Sequence, residues 1–250
     1  MIISVHVPKT AGTSFGLALK DCFGDRLKLK YGDRLFNRTV FERNKNALLA
    51  AIKNSEVNYE YVDCIHGHFL PVQFLLLNEL KPLTFITWMR NPVERIISDY
   101  YHTLRNINEL SPPLQQRIVN EKWSLEKYCL CEIFRNVYSQ FFWGFPFENF
   151  DFIGITEYYS SDLKYLSHKF FGKELMLYHE NVHRTGDGHY CVDKSLKREI
   201  ESFHATDMAL YQKALQIRNE RLKNEFGTND NDGFFSKRNY LKRLFRNHIK

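Results

Sequence analysis

The chain opens on a short apolar run, Ile2, Ile3, Val5 and Val7, that passes directly into Pro8-Lys9-Thr10-Ala11-Gly12-Thr13-Ser14 and then into a helical pattern from Phe15. Few folds accept a strand, a loop of small residues with one lysine, and a helix in immediate succession. The exposed N–H groups and the dipole at the start of a helix favour negative charge. Lys9 adds a full positive charge to the turn. The opening therefore predicts an α/β fold with an anion cradle at the end of its first strand. It is not a Walker A loop, which requires G-x-x-x-x-G-K-[ST] with the lysine after the second glycine. Here Lys9 comes first and Gly12 is the only glycine of the loop.

The rest of the chain supports that fold class. Strands are predicted over 2–7, 59–65, 83–89 and 150–155. Helices are predicted over 13–23, 46–53, 71–80, 92–104, 124–131, 133–142 and 160–170, and over 195–226 with a break near His204 and Ala205. Residues 24–45 are expected to be irregular, and Pro112-Pro113 to break the chain. Asn91 followed by Pro92 is a strong helix start, a capping side chain before a residue preset for the first helical position. Alternating strands and helices predict a central parallel β-sheet flanked by helices. Ligands of such sheets bind beyond the carboxyl ends of the strands. Lys9, His66, His68 and Arg90 each fall just after a predicted strand, so they are expected to converge.

Size and charge set further limits. The 250 residues, 44% of them hydrophobic, suffice for a sizeable core. No apolar run is long enough to span a membrane, and no secretory leader pattern is present, so a soluble, cytoplasmic protein is expected. The cysteines Cys22, Cys64, Cys129, Cys131 and Cys191 are odd in number and scattered, which suits reduced, buried thiols. The spacing of Cys129 and Cys131 is not that of a zinc site. The net charge of +6 resides in the end of the chain: between Gly233 and Lys250 lie Lys237, Arg238, Lys242, Arg243, Arg246 and Lys250 without an acid. Residues 1–232 are expected to form one domain and 233–250 a basic amphipathic tail. That tail is either a helix docked by its apolar face or an anchor for an anionic polymer or membrane surface. It gives no ground for inferring nucleic-acid binding.

A second element, Arg90-Asn91-Pro92-Val93-Glu94-Arg95-Ile96-Ile97-Ser98-Asp99-Tyr100, joins a strand edge to a helix. Arg95 and Ser98 share a helical face, and an arginine fork with a serine hydroxyl suits a second phosphate. Arg95 has an alternative, pairing with Glu94 or Asp99. Between the two elements stands His66-Gly67-His68, whose HxH spacing is open to a base or to a metal pair. No third ligand is placed by the sequence.

These residues resemble the PAPS-dependent sulfotransferases, especially the branch with uronyl and heparan sulfate 2-O-sulfotransferases. Residues Val7 to Phe15 are similar to that family's 5′-phosphosulfate loop. Arg90-x-Pro92-x-x-Arg95-x-x-Ser98-x-Tyr100 is similar to its 3′-phosphate motif, and His66-Gly67-His68 to the segment that carries the base. Phe152 to Glu157 resembles a later strand, and Arg184-Thr185-Gly186 a loop near the nucleotide. The resemblance implies a P-loop-NTPase-like sulfotransferase fold. It also implies an O-sulfotransferase that moves the sulfuryl group from PAPS to an acceptor hydroxyl by in-line displacement, releasing PAP without a metal. Lys9 would neutralise charge on the leaving group, and Thr10, Ala11, Gly12, Thr13 and Ser14 would hold the 5′-phosphate. Arg90 and Ser98 would hold the 3′-phosphate, and Arg184 and Thr185 would close over the nucleotide if they are not a plain surface turn. His68 would be the base and His66 its helper or orienter. The implied acceptor is a glycan or glycolipid. Residues 20–58 and 106–149 have no counterpart in the resemblance, and these would shape the acceptor site. The competing readings are a divergent nucleotide kinase and a non-catalytic module that binds an anionic glycan.

Overall fold

The computed structural model describes residues 1–31, 38–109, 111–178 and 192–226. The sequence Ile2-Ile3-Ser4-Val5 is apolar on both sides of the pleat, as a strand buried on both faces must be. It forms β1 (Ile2–Val5), all four residues buried, at the centre of the sheet. The other strands are β2 (Leu27–Lys30), β3 (Cys64–Gly67), β4 (Thr84–Met89) and β5 (Phe152–Ile155), and the order is β2-β3-β1-β4-β5. Every pairing is parallel. β1 pairs on one side with β3, Ser4 opposite His66 and Val5 opposite Gly67, and on the other with β4, Val5 opposite Thr87. From β1 the chain passes to the edge strand β2, returns through β3 to a place beside β1, and then crosses to β4 and β5 on the other side. The crevice at the carboxyl ends of β1 and β4 is the place where such a reversal leaves room for a ligand.

Strand alternation divides the core into two layers. Ile3, Val5, Ile65, Phe85, Met89, Ile153 and Ile155 pack on one face with Phe69, Phe74, Phe141 and Phe145. Ile2, Cys64, Ile86, Trp88 and Phe152 pack on the other with Phe15 and Leu19 of α1 (Gly12–Phe23) and Leu163 and Leu166 of α8 (Tyr159–Leu166). A third cluster joins α4 (Pro92–Arg105) to α5 (Pro113–Asn120), α6 (Leu125–Cys129) and α9 (Lys194–Phe203), through Ile96, Ile97, Ile118, Tyr128 and Ile200. The remaining helices are α2 (Val40–Glu56), α3 (Leu75–Leu80), α7 (Val137–Phe141) and α10 (Ala205–Phe226).

Several expectations are corrected. Residues 24–45 are not irregular throughout, because Leu27-Lys28-Leu29-Lys30 pairs with β3. A two-lysine edge strand has too little apolar signal to be seen without its partner. The helix expected over 46–53 begins earlier, at Val40. Thr39 accepts from Glu42 N–H while the Glu42 carboxylate accepts from Thr39 N–H, a reciprocal cap visible in the sequence. Pro112-Pro113 falls at the break between α4 and α5, with Pro113 in the first turn of α5. The strand expected over 59–65 lies later, so His66 is inside β3 rather than beyond it. Pairing with β1 carries the strand through His66 and Gly67, while a Val62 N–H to Tyr59 C=O bond turns the preceding residues. A break between α9 and α10 at His204 agrees with the sequence reading. The basic tail, 233–250, lies outside the described residues.

Candidate active site

The cradle at the end of β1 is built by backbone. Lys9 and Ala11 both adopt left-handed conformations, φ 69° and 65°. Non-glycine residues take up that region at a cost. These two conformations flank Thr10, whose buried hydroxyl donates to Val7 C=O at 2.8 Å and holds the loop closed. Helix α1 then starts at Gly12 with no side-chain cap and no acidic residue in its first turn. Its leading N–H groups, unsatisfied in any helix, are left for an external acceptor. Alternating left-handed residues beside a helix start aim successive N–H groups into one concavity, an anion nest. Ser14 is buried and Thr13 exposed.

The lysine of the loop makes no hydrogen bond or ion pair among the described residues, while Asp99, Arg90 and Arg105 act on it through space. Burial leads in lowering its pKa from the ordinary lysine value; Arg90 and Arg105 push the same way and Asp99 opposes them. A bound anion would relieve this crowding of positive charge. The influence of Arg90 on Lys9 shows that the two sequence elements meet, as their neighbouring strands require.

The second turn is closed by its own side chains. Asn91 Oδ1 accepts from the N–H groups of Val93 and Glu94, and Pro92 occupies the first helical position. The Tyr138 hydroxyl accepts from Arg90 N–H and donates to Arg90 C=O, both at 2.7 Å. The Arg90 backbone is thereby clamped, and its guanidinium lies 3.7 Å from Glu94. Ser98 is buried on α4. Arg95 takes the second of its two sequence readings. It is 1% exposed, its Nη1 stands 3.9 Å from Asp99, and its Nε and Nη1 find no hydrogen bond. It belongs to the interior, not to the crevice.

The two histidines of the HxH segment have different surroundings. His66 is fully buried, with Nδ1 2.8 Å from Ser4 Oγ and Nε2 3.3 Å from Gly12 C=O. Both ring nitrogens are engaged, so His66 ties β3 to the start of α1 and orients the loop. Burial pushes its pKa down to about 4. His68, past the end of β3, makes no hydrogen bond among the described residues. Its ring is held by His6 (centroids 4.4 Å apart), Tyr31 (4.9 Å) and Phe141 (6.3 Å). Burial lowers its pKa to about 4 as well, leaving a neutral imidazole with free nitrogens at neutral pH.

Gly67 is required between them by close approach. A Cβ on it would lie 1.9 Å from the carbonyl oxygen of Lys30 in β2, and that backbone has nowhere to go. Among the described residues no group of His, Cys, Asp or Glu side chains is disposed to hold a metal ion. Arg184 and Thr185 lie outside the described residues. The sequence reading missed His6, Tyr31 and Tyr138. His6 had a visible signal, a polar residue at the carboxyl end of an otherwise apolar strand. Tyr31 and Tyr138 had none, since only the fold brings them to this edge.

Among the described residues, three buried polar atoms find no hydrogen bond, Trp88 Nε1, Thr156 Oγ1 and Tyr159 OH, and the Trp88 and Tyr159 rings are 4.7 Å apart. A nest, a lysine without a partner among the described residues and an arginine with a clamped backbone are a donor set that fits phosphate groups.

Fold and site together define a parallel α/β protein whose first strand runs into a helix start without a side-chain cap, with a histidine of lowered pKa at the same edge. Sequence comparison narrows the class. The chain is 29% identical over 134 residues to heparan sulfate 2-O-sulfotransferase 1 of Cricetulus griseus, and equally to that of Mus musculus. The match covers 53% of this chain and 36% of the relative, so the chain spans about a third of the length of the curated relatives it matches. No family model matches. Among solved structures, a sulfotransferase from Alicyclobacillus acidocaldarius aligns at TM-score 0.43 and 16% identity, over 86% of this chain and 95% of that one. A mouse sulfotransferase complexed with PAP aligns at TM-score 0.39 and 12% identity, over 80% and 62%. Over those 134 residues the chain is similar to heparan sulfate 2-O-sulfotransferase 1. No described helix is long and apolar enough to cross a membrane.

Proposed function

We propose that this protein transfers the sulfuryl group of PAPS to a hydroxyl of a carbohydrate acceptor. The observation that carries the reading is the placement, on one sheet edge, of an uncapped helix start with Lys9 and a neutral His68 whose nitrogens make no hydrogen bond among the described residues. In-line transfer at sulfur asks a protein for positioning and for charge stabilisation where negative charge grows. The N–H groups from Gly12 to Ser14 would hold the 5′-phosphate, with Lys9 at the bridging oxygen, where charge develops as PAP leaves. Arg90, fixed by Tyr138, would hold the 3′-phosphate with Ser98. His68 would accept the proton of the attacking hydroxyl, and His66 would orient the loop. PAPS supplies the sulfuryl group, and PAP leaves as the product.

A base must be unprotonated to act. The His68 pKa is lowered, so its neutral form persists as pH falls through the ordinary histidine value of 6.5 and is lost only near 4. Turnover is therefore expected to hold between those limits rather than to halve near the upper one. The experiment is an assay with PAPS and a panel of sugar and glycan acceptors, with products identified by mass spectrometry. Sulfated product from the wild type is expected. His68→Ala should lose turnover by about 10²–10⁴-fold, the range of a general base, with PAP binding retained. Undiminished turnover in His68→Ala would refute the assignment of the base, and absence of any sulfated product would refute the activity.

A further inference from the structure

The loop and the base are joined by a residue that neither motif contains. A Cβ built on Gly12 would lie 1.8 Å from Nε2 of His6 and 2.0 Å from its Cδ2. The imidazole of His6 therefore occupies the space that any other residue at position 12 would need. The same ring stacks on His66, with centroids 5.3 Å apart and planes within 8°. It also meets His68 at 4.4 Å with a 45° tilt, the shortest of the ring contacts that fix His68. On the side away from Gly12, His6 Nδ1 is 3.2 Å from the Tyr31 hydroxyl, and the Tyr31 ring in turn contacts His68. The ring is thus seated from below by His66, from one side by the first residue of α1, and from the other by Tyr31. His68, without a hydrogen bond of its own among the described residues, has its orientation set by this stack.

We propose that His6 is a positioning residue that couples the anion loop to His68, so that a shift of the loop at Gly12 is passed through the His6 ring to the ring of His68. The proposal rests on the sulfuryl-transfer reading for its purpose, donor binding that sets the base, but not for its physical content, which is the contact between position 12, His6 and His68. Gly12 and His6 form a matched pair: the glycine makes room for the imidazole, and the imidazole replaces the missing side chain as the wall between loop and base.

The charged and titratable groups around the stack are few. Lys9 approaches from the loop, His66 from β3, and Tyr31 from the end of β2. Arg90, at the end of β4, and Asp99 and Arg105 of α4 act on Lys9 behind it, and Lys9 in turn acts on His102. Burial, followed by His68, His66 and Lys9, keeps His6 well below the ordinary histidine value, so the stack is uncharged at neutral pH.

The test follows the imidazole resonances of protein labelled with nitrogen-15 in histidine, through a pH titration and a titration with PAP. Gly12→Ala is expected to displace the His6 ring, whose atoms stand where the new Cβ would lie, and His6→Ala tests the same contact without that clash. Gly12→Ala is expected to raise the titration midpoint of His68 by ~1 pH unit or more, a tenfold change in proton affinity. His6→Ala should raise it similarly, and Gly12→Ala with His6→Ala should match His6→Ala alone, because the added methyl then has no ring to push. PAP should shift His68 in the wild type and leave it unmoved in His6→Ala while still binding. A His68 midpoint that Gly12→Ala leaves at its wild-type value would overturn the coupling, as would a PAP response of His68 that survives loss of His6. If PAP fails to bind the wild type, the functional reading fails, and the Gly12→Ala titration still decides the role of His6.

Discussion

Two strand-to-helix turns stand side by side at the carboxyl edge of the sheet, and they are finished in opposite ways. After β4, Asn91 caps α4 on two N–H groups, Pro92 fills the first helical position and Tyr138 grips the preceding backbone. After β1, the residue before α1 is a left-handed alanine that caps nothing, and the lysine ahead of it is left-handed too. The first of these turns spends its backbone donors internally and can attract an anion only through the Arg90 side chain. The other leaves its leading N–H groups without a side-chain cap and holds two non-glycine residues in left-handed conformations. The lesson is that, of two basic strand-to-helix turns, only the one without a side-chain cap keeps its helix start open to an anion.

The contrast can be broken by changing one turn at a time. Lys9→Met should cost the most, lowering turnover by about 10²–10³-fold, as removal of one charge-stabilising donor does in a water-poor site. An assay of sulfuryl transfer at saturating PAPS checks it, and an unchanged rate would remove the loop from the chemistry. Arg90→Ala should weaken PAP by roughly 10–100-fold, the worth of a hydrogen bond to a charged group of about 1.5–3 kcal/mol, and should leave ADP binding unaltered. Equal weakening of both nucleotides would show that Arg90 supplies general positive charge and does not read the 3′-phosphate. Asn91→Ala should act on the fold alone, at about 1 kcal/mol for a lost helix cap. Its thermal unfolding should move down while PAP affinity stays the same, and a large loss of PAP affinity would contradict the view that the second turn is already satisfied.

The same contrast explains how far the sequence carried the reading. The loop, Arg90, His68 and the cap at Asn91 are each encoded within a few neighbouring residues, by strand pattern, small residues, and a capping side chain before proline. The parallel sheet follows from alternation, since β1, β4 and β5 are apolar on both faces. What could not be read locally came from pairing and packing. β2 is a strand only because β3 lies beside it, and His66 faces Ser4 and Gly12 only because pairing with β1 extends β3 by two residues. Arg95 sits at helical spacing from Ser98, yet it points inward toward Asp99, and only the packing of α4 against α6 decides which way it turns. Tyr31 and Tyr138 come to the edge from two separate stretches of chain, so no motif could have announced them.

The central claim is that this edge takes a nucleotide with both a 5′ and a 3′ phosphate. Its most direct test is calorimetric titration of the wild-type protein with PAP and, separately, with ADP, at moderate salt and without metal. The account predicts that PAP binds and that ADP, lacking the 3′-phosphate, binds much more weakly. Equal affinity for the two, or no binding of PAP, would contradict it.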